Sequence, residues 1–243
     1  MKPYSLLCGT LVFCAFMACK RSVGDPAILL FNGTGTSKGD VKRMEAILDE
    51  RHLDFATADS PELDGMSETR LKGYRLLIIP GGNFEKIGDN LKPATSARIR
   101  VAVSGGLNYL GICAGAFFAG KSPYNGLDLT SGVRFPFYSA ERGGVRKAAV
   151  AVAYPEAPSL EQYWEDGPEL TGWGAAVGKY PDGTPAIAEG SLGKGWVLLS
   201  GVHPEASEGW RHGMAFATPV SVDNAYAGTL VDAALNGTPL PHF

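Results

Sequence analysis

Leu107-Asn108-Tyr109-Leu110-Gly111-Ile112-Cys113-Ala114-Gly115-Ala116-Phe117 is an apolar run that ends in a cysteine set between two glycines, with small residues behind it. The run is short enough for a buried strand, and the residues after Cys113 can open a helix. The flanking glycines let backbone crowd where a strand turns sharply into a helix. A turn of this kind presents the sulfur at the carboxyl edge of a sheet, with the first helical amides directed at it. A second apolar run, Trp196-Val197-Leu198-Leu199-Ser200-Gly201-Val202, delivers His203-Pro204-Glu205. A base and its orienter at the end of a neighbouring strand would complete a Cys113-His203-Glu205 triad.

The segments before the elbow alternate between strand and helix. Residues 27–31 and 74–79 read as buried strands, 52–57 as a further strand, and 40–51 and 94–104 as helices with apolar residues at helical spacing. Strand, helix and strand in this order imply right-handed parallel crossovers. The expected fold is therefore α/β: a doubly wound, mostly parallel sheet with helices on both faces and its site at the carboxyl ends of the strands. Beyond Lys121 the runs shorten, at 148–153, 175–180, 186–189 and 195–199, and read as added antiparallel strands. A helix over 224–235 closes the domain, expected to occupy 27–243. The aromatics Phe135, Phe137, Tyr138, Tyr163 and Trp164 lie in an irregular middle, where they either roof the site or pack as core.

Two loops fall at the active edge. Pro80-Gly81-Gly82-Asn83 follows a strand, and its amides can turn inward as an oxyanion hole needs, with Gly81 and Asn83 expected to line the pocket. Residues 32–39, rich in glycine and hydroxyls, place Gly33, Thr34 and Gly35 between a strand and a helix start, where they are expected to line the same pocket. The loop lacks the Gly-x-x-x-x-Gly-Lys-Ser/Thr pattern of a phosphate cradle, so a tight turn is the better reading.

Composition bounds the chemistry. With 243 residues, 22 Lys and Arg against 25 Asp and Glu, and no basic stripe, a nucleic-acid partner is not expected. No group of His, Cys, Asp or Glu has zinc-ligand spacing, so neither metal nor cofactor is expected. Residues 1–19 read as an export signal: Lys2 precedes an uncharged apolar run that ends in Phe16-Met17-Ala18-Cys19. That ending resembles a bacterial lipobox, with Phe16 in place of the usual Leu, and it makes Cys19 the expected lipid-bearing residue. Residues 20–26 form a short spacer. Cys8 and Cys14 leave with the signal, so Cys113 is the one thiol expected to remain free, and no disulfide framework is possible. His52, His212 and His242 read as helix-end, loop and tail residues without a catalytic role.

Gly111-Ile112-Cys113-Ala114-Gly115, His203-Pro204-Glu205 and Pro80-Gly81-Gly82 together resemble the class I glutamine amidotransferase-like superfamily, a flavodoxin-like arrangement. Gly33-Thr34-Gly35-Thr36-Ser37-Lys38-Gly39 and the stretch from Gly111 to Phe117 are more similar to the N-terminal domain of fungal-type biotin-protein ligases. The resemblance runs over about residues 27–235. It implies Cys113 as nucleophile, His203 as general base, Glu205 as its orienter and the Gly82 and Ala114 amides as oxyanion donors. One departure stands out: glutamine amidotransferases usually carry Gln two residues after the second elbow glycine, and this chain has Phe117. Glutaminase specificity is accordingly not expected, nor is biotin ligation, since no ligase catalytic domain is recognised. The expectation is an exported, lipid-anchored cysteine hydrolase on the periplasmic side of a bacterial envelope, cleaving a small amide, peptide or ester through an acyl-enzyme. The alternative is a catalytically inactive binding module of the same fold.

Overall fold

A computed structural model describes residues 26–243. The signal, the lipobox and Cys19 lie outside the described residues. The elements run β1 (Ile28–Phe31), α1 (Lys38–Glu50), β2 (Phe55–Ala58), α2 (Ser60–Gly65), α3 (Glu68–Leu71), β3 (Leu76–Ile79), α4 (Phe84–Asp89), α5 (Pro93–Ser104), β4 (Asn108–Ile112) and α6 (Ala114–Ala119). They continue with α7 (Ser139–Arg142), β5 (Lys147–Tyr154), β6 (Ala157–Glu165), β7 (Ala175–Lys179), β8 (Pro185–Leu192), β9 (Gly195–Ser200) and α8 (Val220–Asn236).

The strands form one sheet in the order β2-β1-β3-β4-β9-β8-β7-β5-β6. From β2 to β9 all neighbours are parallel, and from β9 to β6 all are antiparallel. The α/β doubly wound architecture with an antiparallel extension is therefore the observed one. β1 and β3 are buried along their whole length, and the period-2 alternation of side chains divides them between two cores. Ile28, Leu30, Leu76, Ile78 and Leu110 pack on one face against Met44 and Ile47 of α1 and Leu230 of α8. Leu29, Phe31, Leu77, Ile79 and Tyr109 pack on the other against Ile99 and Val103 of α5. Each such buried aliphatic side chain contributes about 1.5–3 kcal/mol, which explains why runs apolar at every position are central strands.

Chain direction reverses between β1 and β3: β1 leads outward to β2, and the chain returns to place β3 on the other side of β1. Crevices at such switch points hold ligands in open α/β sheets. Here the loops after β1 and β3 meet through an isolated bridge between Thr36 and Gly82. No helix among the described residues is long and apolar enough to cross a membrane.

Tyr163 and Trp164, which the sequence pattern assigns to irregular chain, both lie in β6, an edge strand that the proline at 158 conceals. Trp164 is fully buried core, and Tyr138 is buried in a stack on Tyr180 with centroids 3.8 Å apart. Helix α8 begins earlier than the apolar pattern suggests, directly behind Pro219, which occupies its N-cap.

Candidate active site

Cys113 joins β4 to α6 with φ 48° and ψ −101°. A β-carbon makes this conformation costly, on the order of 1–3 kcal/mol, unless its surroundings enforce it. They do. The Cys113 N–H donates to Ser200 O at 2.7 Å, fastening the elbow to the end of β9, and its carbonyl accepts from the Ala116 and Phe117 amides at 3.0 Å. A β-carbon at position 115 would stand 1.9 Å from the Ile79 carbonyl oxygen, so only glycine lets α6 sit this tightly on β3. The Tyr109 hydroxyl donates to Gly115 O at 2.7 Å and completes the lock.

The chain leaves β9 and brings His203 beside the elbow. The His203 amide donates to Tyr163 O at 2.7 Å. Its Nδ1 lies 2.8 Å from Glu205 Oε1 and 3.1 Å from Asp40 Oδ1. All three side chains are buried. The His-Pro-Glu turn is clamped from two helices. Arg43 of α1 donates to Glu205 O at 3.0 Å and to Asn224 Oδ1 at 2.7 Å, while Asn224 of α8 donates to Pro204 O and Ala206 O.

Burial opposes charge on His203, yet the Glu205 carboxylate, Cys113 and the hydrogen bond with Asp40 outweigh it and hold the imidazole well above its ordinary value of 6.5. Cys113 takes part both through charge and through side-chain hydrogen bonding. Burial raises Glu205 above the usual carboxylate range against the opposing pull of His203, whereas at Asp40 the His203 contact overcomes burial and the carboxyl is lowered. Two carboxylates thus face one imidazole nitrogen, whose single N–H cannot serve both fully. Asp40, His203 and Glu205 also offer three ligand atoms within 4.8 Å of one another, a set that sequence spacing could not show. The Glu205 contact is the hydrogen bond of the two, and the Asp40 oxygen at 3.1 Å is an ion-pair contact.

A cavity of about 320 Å³ lies over the sulfur, lined by Cys113, Ala114, Gly82, Asn83 and Phe117 as well as by Phe84, Phe137, Glu165 and Asp166. Neither the Gly82 nor the Ala114 N–H is committed to a backbone carbonyl among the described residues. Asn83 has a second duty as N-cap of α4, accepting from the Lys86 amide at 2.9 Å. Gly81 does not face the cavity; it lies behind, packed on Asp40 and His203. Gly33, Thr34 and Gly35 are also displaced from the expected pocket and line a separate cavity with Lys38 and Lys42. The reason is the bridge to the β3 turn: Ser37 N–H donates to Gly81 O at 2.9 Å and Asn83 N–H to Gly35 O at 2.8 Å. A β-carbon on Gly82 would stand 2.2 Å from Gly35 O. The glycine-rich loop therefore braces the turn from behind.

Phe117 belongs to a cluster of three rings, stacked on Phe84 with centroids 4.7 Å apart and tilted against Phe137 at 4.8 Å. Three residues of the site escape a reading of the sequence. Asp40 has the pattern of a first-turn acid of α1, with Ser37 as N-cap, and that pattern carries no hint of a distant imidazole. Glu165 supplies a carbonyl oxygen 3.5 Å from Cys113 Sγ, a role for which backbone has no sequence signal. Tyr163 stands out in sequence only as an aromatic; it packs edge-on against His203 and donates to Glu165 Oε2 at 2.6 Å. His52, His212 and His242 are all exposed, as expected.

Residues 26–125 match the family described as biotin-protein ligase, N terminal. This part of the chain is similar to that family. The matched span holds Asp40, the 80–83 turn, Cys113 and Phe117, and it ends before His203 and Glu205. Solved structures supply the fold. A glutamine amidotransferase from Thermotoga maritima superposes with a TM-score of 0.56 at 14% identity, covering 86% of this chain and 97% of that one. A putative GMP synthase subunit from Thermoplasma acidophilum gives 0.55 at 11%, covering 87% and 96%. The chain also superposes on Gan42B, a GH42 beta-galactosidase, at 0.52 and 12%, where it covers 89% of its own length and spans only 30% of the other chain. No curated protein sequence matches the chain. The α/β fold of this chain is thus similar to that of proteins of different activities.

Proposed function

We propose that the chain is a cysteine hydrolase that cleaves a small amide, peptide or ester through a thioester intermediate. The reading rests on one observation: the buried His203 lies on the Glu205 and Asp40 carboxylates, and Cys113, on its strained elbow, lines a cavity together with Gly82 and Ala114. The His203 imidazolium already holds the proton that leaves the Cys113 thiol; Sγ bonds to the substrate carbonyl carbon, and the carbonyl oxygen gains negative charge. The Gly82 and Ala114 amides are uncommitted and stand at the cavity wall, where a well-placed donor to that oxyanion lowers the barrier by roughly 3 kcal/mol. The imidazolium returns its proton to the departing amine or alkoxide as the carbonyl–leaving-group bond breaks. Water, deprotonated by His203, then attacks the thioester and frees the acid and the thiol.

Glutamine is not the proposed substrate. The cluster of Phe84, Phe117 and Phe137 offers no side-chain amide at position 117 to meet a glutamine side chain. Export and lipid attachment at Cys19 belong to the same proposal and rest on residues 1–19 alone; a Cys19→Ala protein is expected to lose membrane association.

Iodoacetamide alkylation of Cys113, followed by mass spectrometry across a pH series, tests the reading. Rapid alkylation well below pH 8 that slows in His203→Ala is the expected result. Slow, His203-independent alkylation would instead make the chain a binding module on the same fold.

A further inference from the structure

The cavity over Cys113 shares an aromatic wall with a second cavity of about 470 Å³. Phe84, Phe117 and Phe137 line both. Beyond that wall stand Lys121, Arg134 and Arg142. None of these three has an ion pair or side-chain hydrogen bond among the described residues. The nearby carboxylates are already engaged: Glu141 with Arg146 at 2.9 Å and Asp128 with Arg100 at 2.6 Å. Three cations without an ion pair thus gather on one cavity, with Glu141 the one acid in its lining, in a chain whose net charge is −3. The Cys113 end has the opposite sign, since Glu85, Glu165 and Asp166 line it against the single cation of Arg146.

We propose that the second cavity is a subsite for an anionic group, carboxylate or phosphate, at the far end of the substrate. The proposal rests on the cysteine-hydrolase reading for its direction. The substrate carbonyl reaches Cys113, an apolar middle lies on the three phenylalanines, and the anion meets the guanidiniums, whose paired N–H donors match two oxygens of either group. The carboxylates near Cys113 repel an anion from that end, so the charge reversal sets which way round the substrate lies.

The test is calorimetric binding to the full chain carrying Cys113→Ala, with 4-phenylbutyrate, phenyl phosphate and the neutral 4-phenylbutanol as probes. At least one anion is expected to bind tenfold or more tightly than the alcohol at low salt, with the advantage shrinking as salt rises. The stronger of the two identifies the group as carboxylate or phosphate. The advantage is expected to vanish in the Lys121→Gln, Arg134→Gln, Arg142→Gln triple variant, which should fold because all three side chains are exposed. Equal binding of alcohol and anions, no binding by any probe, or an anion preference that survives the triple variant would overturn the proposal. Because the thiol is absent from this protein, the result is independent of whether Cys113 performs catalysis.

Discussion

Asp40 Oδ1 lies 3.1 Å from His203 Nδ1, the nitrogen that Glu205 Oε1 meets at 2.8 Å. A helix from the start of the domain and a turn near its end thus place two buried carboxylates on one imidazole. Both support the imidazolium, the state His203 must enter whenever it accepts a proton. Asp40→Asn keeps the shape and removes one charge. Its His203 titration midpoint, read from the imidazole resonances by NMR, is expected to move down in pH, and Cys113 alkylation should slow by about tenfold, the equivalent of one pKa unit of lost support for the imidazolium. An unmoved midpoint would leave Asp40 with a packing role only.

Stability should follow the same network. His203 is held above its ordinary 6.5 when folded, so its charged form contributes stability that is fully present below about pH 6.5. That contribution is lost as pH rises through the folded value. Asp40 is lowered when folded, so its share is present above about pH 3.8 and fades below it. In urea unfolding, the stability gap between the natural chain and His203→Gln should be widest near pH 6 and narrow steadily toward pH 9. A gap that widens with pH would contradict the charged state of His203.

The elbow stores strain that a substitution can release. Glycine adopts positive φ at no steric cost, so Cys113→Gly is expected to be more stable than Cys113→Ala by about 1 kcal/mol, the relief of φ 48° set against the larger unfolded-state entropy of glycine. Gly115→Ala should act the other way, losing on the order of 1–3 kcal/mol as its methyl meets Ile79 O. Thermal unfolding of the three variants checks the order; Cys113→Gly below Cys113→Ala would mean that the turn is unstrained.

The parallel half of the sheet was legible because β1, β3 and β4 are buried on both faces and therefore apolar at nearly every position. β6 was not, since an edge strand with Pro158 and a solvated start carries no such run. Within the site, Cys113, His203 and Glu205 could be read because their local patterns describe the turns that hold them. Asp40 and the Glu165 carbonyl could not, for they reach the site across the sheet and belong to patterns, a helix first turn and a strand end, that serve local structure equally well. The loop of Gly33 to Gly35 misled for a related reason. Glycines that permit close backbone approach look alike whether the neighbour is a ligand or the 80–83 turn.

Phe117 decides whether the pocket can be returned to glutamine chemistry by one change. Its ring stacks on Phe84 and meets Phe137 at a tilt, and each aromatic contact adds about 0.5–1.5 kcal/mol beyond burial. Phe117→Gln forfeits both contacts and leaves an amide among apolar rings, where an unmet hydrogen-bonding group costs about 1–3 kcal/mol. The variant should therefore unfold at lower temperature and show no ammonia release from glutamine above the natural chain. Hydrolysis of an aryl ester carrying an apolar acyl chain should show a raised KM with kcat nearly unchanged, because the wall binds the substrate without touching the reacting bond. If Phe117→Gln gained glutaminase activity while keeping its stability, the surrounding pocket would already have the shape of a glutamine site, and Phe84 and Phe137 would have to yield to the substrate rather than define it.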